Sequence, residues 1–280
     1  MSQTFVDSGP GLPGEPLLGT MDAVRLGWRL LAGDFWQVWL AALVVVAILG
    51  GLAMVPCLSC LAPIANIFVW PPLMAGLFLV IRSRIDGMPV EVGRVFTGFR
   101  ENYGQIVVAG LPVTLAALVL ALGAFVARTG LGVAVMGFGM SDLQNEAEPW
   151  RPMLMMQAVN VLCLVIEQAL AGIVGLLFMF AMLAVWENPT QGWAAAMRSM
   201  RLVFQRPGSA LAFGLVFCAL WLAAWVAGIL ALCLGWFFTM AVFQAWHAAA
   251  CVYLYRSWTG RPLVQPFGEV IAESPAPLGQ

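Results

Sequence analysis

Long apolar stretches alternate with short polar ones from residue 35 to residue 255. A helix needs about 20 largely apolar residues to cross a hydrocarbon core about 30 Å thick, because it rises about 1.5 Å per residue. Six segments meet that requirement: 35–55, 58–81, 106–126, 161–186, 210–231 and 235–255. The fourth is the later part of a longer apolar run, 153–186. The fifth and sixth share the uncharged run 210–255, which is too long for one span and long enough for two, and Gly235 can supply the turn that divides it. The apolar piece 131–140 is too short to cross and rich in glycine, so it is expected in a loop.

The polar stretches repeat one plan three times: an amphipathic helix, a glycine with a polar neighbour, then a membrane hairpin. In the first, Val24, Trp28 and Leu31 share a face, with Asp22, Arg25 and Arg29 on another. Gly33 is placed to end this helix and Asp34 to cap the next. In the second, Pro89 suits a first helical position, and Val92, Val95, Phe96, Phe99 and Tyr103 follow at helical spacing before Gly104–Gln105. In the third, Asn188–Pro189 opens the helix and Trp193, Ala196, Met197, Met200 and Phe204 form its apolar face, before Gly208–Ser209. A helix too polar to span and too apolar on one side to float free is suited to the headgroup layer. Trp28, Trp36, Trp39, Trp186, Trp193 and Trp258 are expected to form an aromatic belt at that level.

Arginine placement orients the spans. Arg25, Arg29, Arg82, Arg84, Arg94, Arg100, Arg198, Arg201, Arg206, Arg256 and Arg261 fall on one side of a six-span arrangement, and only Arg128 and Arg151 on the other. The positive-inside bias puts the first side, and both termini, in the cytoplasm. All 13 basic residues are arginine, a composition that fits a GC-rich bacterial genome and hence the bacterial inner membrane. Charged residues make up 10% of the 280-residue chain, against about 25% in a soluble domain, so most of the surface faces something other than water. The net charge of −1 gives no basic footprint for nucleic acid. Residues 1–20, with glycine and proline where a signal peptide needs an apolar region, are expected to be a disordered tail, and residues 259–280 likewise.

Four stretches carry a resemblance: "AVRLGWRLLAGDFW" from Ala23, "MAGLFLVIRSRIDGMPVEVGRVFTGFREN" from Met74, "NPTQGWAAAMRSMRLV" from Asn188 and "YLYRSWTG" from Tyr253. They resemble a loose group of bacterial six-helix membrane proteins. The group includes the membrane domain fused to some glycerophosphodiester phosphodiesterases, and several families of unknown function. The likeness is one of small, aromatic and basic positions across most of 23–260. It implies architecture and transfers no catalytic motif.

Candidate chemistry is sparse. Glu167 is the only charged residue well inside a predicted span, and an intramembrane acid is a functional candidate by default. Gln157, Asn160 and Glu167 share a helix face, with Gln168 beside it; the competing reading is that they meet water at the outer boundary. His247, the only histidine, has Gln244 one turn away and suits either proton relay or a hydrogen bond between helices. Cys57 and Cys60 form a CxxC in the turn between the first two spans, where a disulfide competes with ordinary small apolar packing. Pro71 and Pro72 are expected to kink or break the second span. Arg25, Arg29, Arg94, Arg100, Arg198 and Arg201 are candidates for contact with anionic headgroups.

No metal-ligand spacing, phosphate loop or nucleophile–base set is readable, so no cofactor is expected and an enzyme is the least favoured class. The expectation is an all-α membrane bundle occupying 21–258, with six transmembrane helices in three hairpins, each preceded by an interfacial amphipathic helix. Its expected role is a non-enzymatic scaffold, assembly or accessory subunit acting through lipids, a protein partner or a second copy. The alternative is a small-solute or lipid permease with a polar site in the bundle. A polar cavity at the midplane favours the permease, and a filled core the scaffold.

Overall fold

The computed structural model describes residues 18–54, 62–142, 151–187, 191–230, 234–261, 263–264 and 270–272. The described helices are α1 (Thr20–Gly33), α2 (Phe35–Met54), α3 (Ala62–Ile85), α4 (Thr97–Arg100), α5 (Tyr103–Asp142), α6 (Arg151–Phe178), α7 (Ala181–Glu187), α8 (Gly192–Gln205), α9 (Pro207–Leu230) and α10 (Leu234–Trp258). A 3₁₀ segment, Val92–Phe96, leads into α4. Two short strands, β1 (Leu263–Val264) and β2 (Val270–Ala272), pair antiparallel after α10. The expectation of a disordered C-terminal tail therefore does not hold for those five residues. The CxxC cysteines, Cys57 and Cys60, and the residues 188–190 expected to open α8 lie outside the described residues.

Six helical stretches among the described residues are long and apolar enough to cross a membrane, running within Phe35–Leu52, Asn66–Ile85, Tyr103–Ala134, Met153–Glu187, Pro207–Gly228 and Gly235–Trp258. α2 packs on α3, α5 on α6 and α9 on α10, so each consecutive pair of spans is in contact. The buried core gathers in α7 and in the C-terminal halves of α3 and α10, where Leu77, Ile81, Tyr253 and Leu254 are fully buried. The outer surfaces of α5, α6 and α9 are apolar and exposed, as lipid-facing helices must be.

The polar segments surround that core. α1 lies along the C-terminal half of α10, where Trp246 Nε1 donates to the Val24 carbonyl at 2.8 Å. The 3₁₀ segment and α4 lie along α3. There a Cβ on Gly76 would fall on the Val95 carbonyl and one on Gly98 on the Pro72 carbonyl, so both positions require a hydrogen in place of a side chain. α8 packs against α7 and α5. Each segment thus docks on the later span of the pair preceding it, and α1 closes the circuit onto α10.

Several expectations change. Residues 131–140, expected in a loop, continue α5 as helix. Their glycines weaken helix without stopping it, and no proline or polar cluster intervenes. α6 starts at Arg151, ten residues before the expected boundary, and the fourth span breaks at Met179–Phe180. α3 runs unbroken through Pro71 and Pro72 and ends at Ile85, so Arg82 and Arg84 belong to its last turn. The helix expected from Pro89 is shorter, since Pro89 precedes it in irregular chain and only Val92–Arg100 is helical. Asp34 stands at the start of α2, where its carbonyl accepts from the Val38 N–H, and its carboxylate pairs with Arg84.

The two faces of α8 divide by side-chain size. α8 buries Gly192, Ala195, Ala196, Ser199 and Val203, leaving Trp193 and Phe204 exposed. Small residues permit close approach between helices, and the bulky aromatics are left for the outside. Of the expected belt, Trp28, Trp36 and Trp193 are exposed. Trp186 turns inward to donate to the Ala75 carbonyl at 2.9 Å, and Trp258 is buried.

Candidate functional site

The polar residues singled out inside the spans do not converge. Glu167 on α6 accepts from Arg128 on α5 at 2.6 Å. The pair gives each charge a partner, and a hydrogen-bonded pair among apolar helices costs much less than an unpaired charge. Asn160 is half-buried on the same helix, and Gln168's side chain lies outside the described residues. His247 lies between α9 and α10. Its ring sits 4.9 Å from Phe217, 5.9 Å from Phe213 and 6.0 Å from Phe243, and its Nε2 is 3.5 Å from Cys251 Sγ. Gln244, one turn away, faces a different neighbour and donates to Met74 Sδ on α3 at 3.0 Å.

The prolines serve packing. Pro71 lies where a Cβ on Gly110 would meet its ring, so α5 crosses α3 closely there, and Pro72 supplies the carbonyl approached by Gly98. Proline in a spanning helix is tolerated when neighbouring helices close over the freed backbone.

Two acidic residues without a sequence signal of their own hold the arginine-rich end together. Asp86, just past α3, accepts from Arg256 of α10 at 2.5 Å, with Arg82 3.9 Å away. Glu187, the last residue of α7, has a side chain only 7% exposed. It accepts from the Tyr255 hydroxyl at 2.6 Å and pairs with Arg261 at 2.9 Å, with Arg198 at 3.9 Å. The ends of α3, α7 and α10 are therefore tied to one another by buried or half-buried charges. Arg206 lies over the Trp258 ring at 5.7 Å, and burial lowers its guanidinium from the ordinary value.

The lipid-facing candidates divide by partner. Arg25 pairs with Asp22 at 3.8 Å, Arg94 with Glu91 at 3.0 Å, and Arg198 with Glu187. Arg29, Arg100 and Arg201 are exposed and have no acidic partner among the described residues. Among the described residues no cluster of three His, Cys, Asp or Glu could hold a metal ion.

One cavity of about 180 Å³ lies between α2, α3, α9 and α10. Its walls are apolar except for Gln244, and they include Trp70, Trp221 and Trp236. The sequence signal was weak, because isolated tryptophans inside apolar runs read as belt or core.

Six helical stretches among the described residues that are long and apolar enough to cross a membrane define a multi-pass α-helical membrane protein. No family model matches the chain, nor does any curated protein or solved structure.

Proposed function

We propose that this chain is a non-enzymatic integral protein of the bacterial cytoplasmic membrane, a scaffold, assembly or accessory subunit that works through lipid or protein partners. The observation that carries the reading is the dispersal of its intramembrane polar groups. Glu167 is neutralised by Arg128, Gln244 faces Met74, and His247 is enclosed by phenylalanines, each on a different helix pair. A permease for polar solutes would need such groups around one cavity, and the prolines that could have opened one are packed against Gly98 and Gly110.

The eleven-to-two division of arginines supports a cytoplasmic arginine-rich end with both termini on that side. At that end, exposed Arg29 and Arg201 share their helices with exposed Trp28, Trp193 and Phe204. Aromatic rings at headgroup depth beside cations suit contact with anionic lipid. The three helical segments docked around the core are the interfacial elements in this reading. The likeness to bacterial six-helix membrane domains agrees with this architecture and is part of the proposal.

Purification of the intact protein in mild detergent, with identification of companions, tests the role. A protein companion or second copy at fixed stoichiometry, or enrichment of anionic lipid over the bulk membrane, supports it. A protein without enriched companions that carries a solute across vesicle membranes would overturn it in favour of the permease.

A further inference from the structure

The cavity between α2, α3, α9 and α10 has a shape and position that the scaffold role does not use. It lies toward the arginine-poor ends of its helices. Trp236 is two residues into α10, Gly50 four residues before the end of α2, and Trp70 in the first half of α3. All its walls belong to helices apolar enough to span a membrane. Most of them, including Val46, Trp70, Trp221 and Gln244, are half-buried, so the cavity is a groove open on the outside of the bundle.

We propose that this groove binds one acyl chain of a phospholipid from the leaflet at the arginine-poor end. Three features select that occupant. Among the described residues no charged side chain lines the groove, so a headgroup or an ion finds no partner there. Along α10 the lining runs from Trp236 to Gln244, about 12 Å at helical rise, close to the depth of one leaflet's hydrocarbon, about half of 30 Å. Its outer end carries Trp236, an indole at the level where amphipathic rings sit against the headgroups, so the glycerol end of the lipid stays outside while the chain enters. Inside a bilayer no hydrophobic force separates lipid from protein, and the chain is held by dispersion contact with the flat faces of Trp70 and Trp221. Gly50 keeps the α2 wall low. Gln244, the one polar side chain of the lining, carries no charge and donates one amide hydrogen to Met74 Sδ. The inference is independent of the scaffold role, since a permease could hold the same chain.

The test is native mass spectrometry of the full-length protein under stepwise detergent washing. The substitution is Met240→Trp, which fills the groove, and the control is Leu215→Trp, on an α9 surface that is 72% exposed and outside the groove. The wild type and Leu215→Trp should retain one phospholipid after the others are stripped, and Met240→Trp should lower that occupancy by about tenfold. Equal retention by Met240→Trp and the wild type overturns the proposal, whether both keep one lipid or both keep none. A second measurement covers failure of Met240→Trp to fold. Phosphatidylcholine with brominated acyl chains, added to delipidated protein, should quench the fluorescence of the wild type more than that of Trp221→Phe at the first equivalent. Equal quenching would overturn the site.

Discussion

Ser199 of α8 seals the break at Phe180. Its hydroxyl accepts from the Phe180 N–H at 3.1 Å and donates to the Leu177 carbonyl at 3.0 Å. Ser199 is fully buried, so without it an amide and a carbonyl at the end of α6 would be left without water to replace the bonds. The same bonds dock α8 on the fourth span, so the break and the position of the surrounding helix are one feature. Ser199→Ala should destabilise the protein by about 1–3 kcal/mol, the range for orphaning buried polar groups, read as a lower melting temperature in detergent. Unchanged melting would mean the break is satisfied by other means.

Arg128 and Glu167 form a pair whose value lies in mutual neutralisation. Arg128→Leu and Glu167→Leu should each lower thermal stability, and the double variant should recover part of the loss, with a coupling of about 1 kcal/mol or more. Additive losses would make Glu167 a functional candidate again. So would a Glu167→Gln protein of normal abundance and stability that loses its co-purifying companions.

Gly76 and Gly98 fix the docking of the 3₁₀ segment and α4 on α3. Alanine at either should reduce the yield of folded protein sharply, because the obstruction is backbone carbonyl, which cannot swing aside. Gly104→Ala, where nothing lies within 4 Å of the added carbon, should be tolerated. Size-exclusion profiles of the three variants in one detergent make the comparison.

What was legible in the sequence follows from the range of each signal. The first, fifth and sixth spans were readable because apolar length is local: α2, α9 and α10 match 35–55, 210–231 and 235–255 closely. The extension of α5 through 131–140 was not, since glycine count argues against helix only weakly when no stop signal accompanies it. Periodicity marks Trp193 and Phe204 as the apolar face of α8, and the structure leaves both exposed; it gives no sign that the protein-facing side is built from Ala195, Ala196 and Ser199, which close helix docking selects. For the candidate site, each polar residue was visible but its partner was not. Arg128 lies 39 residues from Glu167. The carboxylates at the arginine-rich end were hidden by their position at helix termini, where Asp86 and Glu187 read as ordinary boundary charges.

The proposed headgroup contacts rest on Arg29, Arg100 and Arg201. Replacing all three with Gln should lower the ratio of anionic to neutral phospholipid co-purifying with the protein, and the difference should shrink in high salt, because these interactions act within about a Debye length of 8 Å. An unchanged lipid ratio, with normal membrane insertion, would limit these arginines to setting topology.

The proposed role depends on the arginine-rich end facing the cytoplasm, and cysteine labelling in intact cells tests that most directly. In a background lacking the six native cysteines, single cysteines are placed at Ser2 and at Ser141, near the arginine-poor end of α5. A membrane-impermeant maleimide added from outside should label Ser141→Cys and leave Ser2→Cys unlabelled until the cells are opened. Labelling of Ser2→Cys but not of Ser141→Cys would invert the protein and contradict the account.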